Sequence, residues 1–392
     1  MRVLQVTPYY APAWAYGGPP RVMTRFATGL VALGHEVTVL TTDVLDEDHR
    51  AGPAEEMLGG VRIRRFPNLS NGLAWRRKKY LPRGFASALA REVRRSDAVH
   101  ATDARTYLTA AAYLAARARR IPFVLSAHGS LPGSPGLRGR VKQVYDRALV
   151  RPMLARAALL LAQTEHEARL YVEAGGRPDR VRLLPLPLDL DGLPTVRHDG
   201  FLRERADLAQ GLPTLLFLGR IHYLKGLDLL VEAVEPLLAA KEAALVVVGR
   251  DDGYWPVIAQ RHARLLDAGV LRFIGPLYGD ERFQAYADAD VFCLTPRHWE
   301  ETSVAALEAA AVGTPLVVSE QANIPGLEAS GGGFVVPLEP SAVLGAVRSA
   351  LERSAEMGPK AQALVGRQHA TPQVVELLET YLEGIVVRAR DE

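Results

Sequence analysis

The sequence predicts an α/β protein made of two doubly wound, Rossmann-like parallel-sheet domains facing a central cleft. Three observations carry this expectation. Strand-like apolar runs alternate with helical patterns through both halves of the 392 residues, and a proline-broken stretch, Leu183-Leu184-Pro185-Leu186-Pro187-Leu188, separates the two series. The charge balance also changes sign between the halves: Lys and Arg outnumber Asp and Glu by 30 to 18 over residues 1–200 and are outnumbered by 26 to 17 over residues 201–392. A basic half and an acidic half imply different partners for the two domains.

The first strand is expected at Val3 to Thr7, followed by a Gly/Pro/aromatic loop from Pro8 to Pro20. Helical spacing of Val22, Phe26, Leu30 and Leu33 ends at Gly34, and Val37 to Thr42 reads as the next strand, completing a βαβ unit. Apolar runs at 61–66, 98–101, 123–127 and 158–162 alternate with helical stretches such as 85–95 and 107–119, the pattern of a parallel sheet covered by helices. Pro185 and Pro187 remove ladder donors, so 183–188 reads as an extended hinge and Asp189 to Asp199 as a linker. A second series follows, with strands at 214–219, 244–249, 271–275, 291–295, 315–319 and 333–336. The expected domains are 1–190 and 191–371, with a last helix in 372–392 that can pack back on the N-terminal domain.

With 48% hydrophobic and 23% charged residues and no biased tract, the composition excludes disordered and collagen-like classes. No apolar run reaches the roughly 18 residues a membrane-spanning helix requires. The start, Met1 to Pro8, is too short and polar for a secretory signal, so the expected location is the cytoplasm. The single cysteine, Cys293, lies in the apolar run Val291-Phe292-Cys293-Leu294 and reads as core, which excludes a disulfide framework and a cysteine metal site.

Ligands of open α/β sheets collect at the carboxyl ends of strands, and two segments there carry chemistry. Gly219-Arg220-Ile221-His222-Tyr223-Leu224-Lys225-Gly226 links a strand to a helix and offers two cations suited to a diphosphate, Arg220 by bidentate contact and Lys225 as a point charge. In Trp299-Glu300-Glu301-Thr302-Ser303-Val304, Thr302 or Ser303 caps an alanine-rich helix that ends at Gly313-Thr314-Pro315. The N–H groups of Ser303 and Val304 there make an anion site. Glu300 precedes that helix and Glu308 lies inside it; either carboxylate alone would read as a capping or solvated residue.

Together, the strand-Gly-Arg-x4-Lys-Gly turn and the Glu-x7-Glu ending in Gly-Thr-Pro resemble glycosyltransferase family 4, retaining enzymes of the GT-B fold. The resemblance extends to Gly17-Gly18, Gly34-His35-Glu36-Val37-Thr38-Val39, His128-Gly129, Gly249 to Tyr254 and Phe273-Ile274-Gly275-Pro276-Leu277. It implies that Arg220 and Lys225 hold the donor diphosphate and stabilise the leaving group. It further implies that Glu308 binds the ribose, that Glu300 holds the transferred sugar, and that His128 lies beside that sugar. Gly17, Gly18, Gly219, Thr302, Ser303, Val304 and Ile274 are then donor-binding positions. The implied reaction moves a hexose-type sugar from a UDP- or GDP-sugar to a glycan or lipid-linked acceptor in surface polysaccharide or glycoconjugate synthesis.

The chain departs from the family pattern at Leu186-Pro187-Leu188-Asp189, where an Asn-Gly-x-Asp turn is usual, and at Glu301-Thr302-Ser303, where an aromatic and Gly are frequent; Arg250 leaves the base contact unassigned. Asp189-Leu190-Asp191 and Asp288-Ala289-Asp290 spell a metal–diphosphate motif, but neither follows a strand. Because Arg220 and Lys225 can neutralise a diphosphate, neither a metal nor a cofactor is expected. In the basic half, Trp75-Arg76-Arg77-Lys78-Lys79-Tyr80 and the series Arg138, Arg140, Lys142, Arg147 and Arg151 are candidates for peripheral contact with anionic lipid at the inner membrane face; the alternative is a solvated surface. Nucleic acid is not an expected partner. The competing readings are a GT-B epimerase or hydrolase acting without acceptor, a non-catalytic nucleotide-sugar binder, and a dinucleotide oxidoreductase. The last lacks a Gly-x-Gly-x-x-Gly turn after the first strand.

Overall fold

The computed structural model describes residues 1–131, 143–196, 198–209 and 211–391. The chain divides into two compact units, Met1–Pro187 with Thr371–Glu392, and Leu188–Ala370.

The first unit is built on an eight-stranded sheet in the order β3-β4-β2-β1-β5-β6-β7-β8. Its strands are β1 Arg2–Val6, β2 Glu36–Thr42, β3 Glu55–Leu58, β4 Val61–Phe66, β5 Ala98–Thr102, β6 Phe123–Ser126, β7 Leu159–Ala162 and β8 Val181–Leu183. All neighbours pair in parallel except β3 and β4. The polar sequence of β3 gives no strand signal; it forms because it folds back on β4, with Glu55 and Glu56 paired to Arg64 and Arg65. β8 precedes both hinge prolines, so the ladder reaches Leu183 before Pro185 breaks it. The helices used below are α1 Gly18–Ala32, α2 Asn71–Arg77, α3 Tyr107–Arg119 and α4 Arg151–Arg156. Leu4, Val6, Leu40, Val99, Leu125 and Leu160 lie at the centre of the core.

The second unit carries a fully parallel sheet in the order β11-β10-β9-β12-β13-β14. Its strands are β9 Thr214–Leu218, β10 Ala244–Val248, β11 Leu271–Phe273, β12 Val291–Leu294, β13 Leu316–Ser319 and β14 Gly333–Val336. Helices α5 Leu227–Ala239, α6 Gly279–Asp288 and α7 Val304–Ala311 frame the candidate site. Cys293 is buried in β12, and burial pushes its thiol well up. In the second Asp-x-Asp pair, Asp288 accepts from the Leu202 N–H and Asp290 from the Thr214 N–H, both structural ties.

Helix α8, Thr371–Asp391, returns to the first unit and buries Val374, Val375, Leu378, Leu382, Ile385 and Val386. Val375 fills the notch left by Gly29 of α1, where an added Cβ would stand 2.5 Å from a Val375 methyl. Glu379 holds His35 Nε2 at 2.6 Å, and His35 Nδ1 in turn contacts the amino terminus at 3.0 Å. At roughly 1.5–3 kcal/mol per buried side chain, the helix contributes on the order of 9 kcal/mol, comparable to the whole stability of a typical domain. Truncation after Ala370 is therefore expected to unfold the first unit while leaving the second intact, seen by limited proteolysis as rapid loss of 1–187 with a surviving fragment of 188–370.

Candidate functional site

In the second unit the loop after β9 is shaped by backbone approaches that only glycine permits. Gly249, at φ +147°, lies so close to the Gly219 carbonyl that a Cβ would stand 1.7 Å from its oxygen. Ile221 then bridges to the next loop by its N–H to the Arg250 carbonyl at 2.8 Å. This brings Arg220 and Arg250 onto one carboxylate: Arg220 donates to Asp252 Oδ2 at 3.0 Å, and Arg250 to Oδ1 at 3.0 Å. The Arg220 side chain is 61% exposed, so guanidinium edge remains open to solvent.

His222 Nδ1 caps the turn Tyr223–Lys225 by accepting the Leu224 N–H, and Gly226 at φ +67° starts α5. A Cβ on Gly226 would lie 1.8 Å from the Thr295 carbonyl oxygen, so the turn is wedged against the end of β12. Arg297, which the sequence reading did not single out, locks it there. Its guanidinium holds Asp228 of α5 through two 2.6 Å bonds, donates to the Tyr223 carbonyl at 2.9 Å and lies 4.1 Å from the Tyr223 ring centroid. Hydrogen bonding to Arg297 keeps the Asp228 carboxyl below its usual range despite its burial. The signal was absent from the sequence because Arg297 follows a strand with no motif spacing, and only the fold sets it over the turn.

Lys225 so held meets Glu300, Nζ to Oε1 at 2.5 Å. Glu300 is fixed by its own N–H to the Gln321 carbonyl at 2.8 Å, and Asn323 ties the next residue through the Glu301 carbonyl at 3.0 Å. Ser303 is the N-cap of α7; its Oγ accepts the Ala306 N–H at 3.5 Å, and Thr302 turns its hydroxyl back to the Glu301 carbonyl. The first N–H groups of α7, from Val304 on, lack intrahelical acceptors. Glu308 is buried rather than solvated, with Arg282 at 3.1 Å and the Tyr286 hydroxyl at 3.3 Å on its two oxygens. Ile274 is half-buried just beyond β11, beside Gly275 at φ +76°. The structure thus joins Lys225 to Glu300 directly and ties Arg220 and Glu308 to Asp252 and Arg282, partners the sequence did not indicate.

In the first unit, the conformational demand at the start of α1 falls on Gly17, at φ +93°, while Gly18 is the first helical residue. His128, two residues past β6, holds a left-handed backbone at φ +48°. Gln163 Nε2 donates to its Nδ1 at 2.7 Å, which leaves the ring proton on Nε2, buried and without an acceptor among the described residues. Burial lowers its pKa to about 4, so the ring is neutral at physiological pH. One strand over, Asp103 immediately follows β5, also left-handed at φ +60°. Burial raises its pKa to about 6 although the Tyr9 hydroxyl donates to it at 2.5 Å. Tyr9 stacks on Tyr16 at 5.0 Å, and Tyr80 and Trp75 close the group edge-on. Lys78 lies 5.3 Å from the Tyr16 ring centroid, and Arg76 pairs with Glu47, so part of the basic run 75–80 is engaged locally. Arg138, Arg140 and Lys142 lie outside the described residues.

The sequence profile described as "Glycosyl transferase 4-like domain" matches residues 17–187, and that described as "Glycosyl transferases group 1" matches residues 212–353. The chain belongs to the family 4 type of glycosyltransferases. Among relatives of this chain is a D-inositol 3-phosphate glycosyltransferase of Geodermatophilus obscurus, 34% identical over 51% of this chain and 47% of the relative. The chain spans about half the length of the first two curated relatives it matches. A glycogen synthase of Mycobacterium tuberculosis is 29% identical over 95% of this chain and 90% of its own. The fold is GT-B: HepE of Anabaena, solved in complex with UDP, superposes with TM-score 0.74 at 16% identity over 98% of this chain and 100% of its own. Sucrose-phosphate synthase of Thermosynechococcus elongatus superposes at 0.72 with 17% identity, over 99% of this chain and 100% of its own.

The raised Asp103 has a stability consequence. An acid whose folded pKa, about 6, exceeds its unfolded value binds more protons when folded, so its contribution falls as pH rises from about 4 through 6. Asp103→Asn, which keeps the Tyr9 bond and tolerates the left-handed backbone, is expected to stabilise the protein by roughly 1–2 kcal/mol at pH 7.5. The gain should vanish near pH 4 in thermal unfolding curves.

Proposed function

We propose that the chain transfers a hexose-type sugar from a nucleoside diphosphate donor, a UDP- or GDP-sugar, to a hydroxyl of a glycan or lipid-linked acceptor, retaining anomeric configuration, in surface polysaccharide or glycoconjugate synthesis. The observation that carries the reading is the Lys225–Glu300 pair at 2.5 Å, which joins the loop that also bears the exposed Arg220 to the segment leading into α7. A single lysine there can serve two partners, holding the sugar-binding carboxylate with one N–H and a phosphate oxygen with another. Arg220, Lys225 and the Ser303 and Val304 N–H groups would take the diphosphate, Glu300 the transferred sugar, and Glu308 the ribose in exchange for part of its contact with Arg282. Gly219 and Ile274 would border the nucleotide, and Gly17, Gly18 and His128 the sugar. The neutral His128 has an N–H to give a sugar oxygen.

As the bond from C1 to the phosphate oxygen breaks, the departing diphosphate keeps the electron pair and the two cations stabilise it. The acceptor oxygen bonds to C1, and its proton leaves to the departing phosphate or to water. The cations supply the charge compensation, so no metal is required. UDP is favoured over GDP because HepE was solved with UDP and with UDP-glucose. The half-buried Tyr16 and Trp75 rings beside the Tyr9–Asp103 pair would take the acceptor. Among the described residues no helix is long and apolar enough to cross a membrane. Placement in the cytoplasm, with the basic half in peripheral contact with the inner membrane face, belongs to this proposal.

The test is release of nucleoside diphosphate from UDP-glucose and GDP-mannose, followed by phosphorus and proton NMR. Turnover of one donor with the anomeric configuration kept, a loss of about 10²–10³-fold in Lys225→Ala, and no change with EDTA are expected. Consumption of neither donor contradicts the reading. Activity lost to EDTA and restored by Mg²⁺ contradicts its metal independence.

A further inference from the structure

At the opposite end of the first sheet's strands from Asp103 and His128, a concavity of about 690 Å³ opens at the amino-terminal ends of β6, β7 and β8. Its wall contains six arginines: Arg117 and Arg120 at the end of α3, Arg156 at the end of α4, Arg177 and Arg180 before β8, and Arg388 of α8. Its floor is apolar, with Tyr113, Ile121, Phe123 and Ile385. The carboxylate on these arginines is Asp179, held by Arg177 at 2.9 Å and Arg180 at 3.6 Å. Among the described residues, Arg117, Arg120, Arg156 and Arg388 have no carboxylate partner.

Helix C-termini attract cations, which could account for some of these residues: α3, α4 and α8 all end here. Each C-terminus contributes only about half a negative charge, so three of them and one aspartate leave most of the six guanidinium charges uncompensated. A solvated arginine face needs no cavity, and mutual repulsion disfavours gathering the groups round one. The volume is that of a small-ligand site, and arginine's planar fork matches phosphate oxygens. The concave shape favours a compact anion over an extended polyanion such as nucleic acid.

We infer that this concavity binds a ligand carrying two or more clustered phosphate groups on an organic body, either a free polyphosphate compound or a phospholipid headgroup. The site shares no residue with those assigned to transfer and stands whether or not the transfer reading holds. The apolar floor accepts the organic body, and the arginines divide the phosphates between them.

The chain of residues 1–392 is titrated with tripolyphosphate in the presence of saturating UDP, and separately with vesicles of phosphatidylcholine containing or lacking phosphatidylinositol bisphosphate. The variants are Arg120→Glu/Arg156→Glu and, as a control on an exposed face elsewhere, Arg91→Glu. Binding of either probe that weakens by about tenfold or more in the double variant and not in the control supports the site. Tripolyphosphate binding identifies free phosphate as sufficient, and vesicle binding alone identifies the headgroup. Binding of neither probe at physiological salt, or equal loss in the double variant and Arg91→Glu with unfolding curves unchanged, overturns it.

Discussion

The second unit depends on one close approach: the backbone of Gly226 against the carbonyl of Thr295, at a distance that no side chain at 226 could survive. That contact fixes where α5 begins relative to the end of β12, and so where Lys225 stands. Arg297 converts proximity into rigidity. Its paired bonds to Asp228, its bond to the Tyr223 carbonyl and its contact with the Tyr223 ring remove the freedom a solvent-facing turn would have. Gly249 against Gly219 repeats the device one strand over and sets Arg220 beside Asp252. The two cations are placed by backbone sterics, and their side chains need not be ordered by a ligand first.

The electrostatics follow from that placement. Lys225 and Arg220 each rest on a carboxylate, Glu300 and Asp252, and Arg250 shares the latter. For the half-buried Lys225–Glu300 pair this satisfies both charges and avoids the desolvation cost of an isolated ion. Under the proposed function an arriving dianion would compete for groups that are already oriented, and each guanidinium or ammonium retains donors to offer it. In the first unit the logic is inverted: His128 and Asp103 are held by burial toward their neutral forms, on strained left-handed backbone at adjacent strand ends. Such strain at strand ends is a feature of functional sites, and under the proposed function the neutral His128 imidazole suits sugar hydroxyls better than phosphates.

Much of this was legible in the sequence. The strands at 61–66 and 333–336 and the helix at 107–119 coincide with their apolar runs and spacing, because each is a buried element whose pattern is dictated by one core. Lys225 and Glu300 were picked out from separate segments and lie in direct contact. What was not legible depends on partners distant in sequence. β3 is polar and exists only as an addition to β4; Arg297 has meaning only once β12 lies beside the 223–226 turn. Asp103 and Tyr9 are 94 residues apart, and nothing local marks either. The arginines of the basic concavity come from four separate segments, so the sequence shows a basic half without showing where its charge converges.

The central claim is that the turn following β9 is built to hold a diphosphate, and calorimetric titration of UDP and of uridine into wild type and Arg220→Ala tests it most directly. The account predicts that wild type binds UDP, that the substitution weakens UDP by about tenfold or more, as loss of a charge-assisted phosphate contact requires, and that any uridine binding is unchanged. UDP binding as tight to Arg220→Ala as to wild type would contradict it, as would failure of wild type to bind UDP, GDP or ADP.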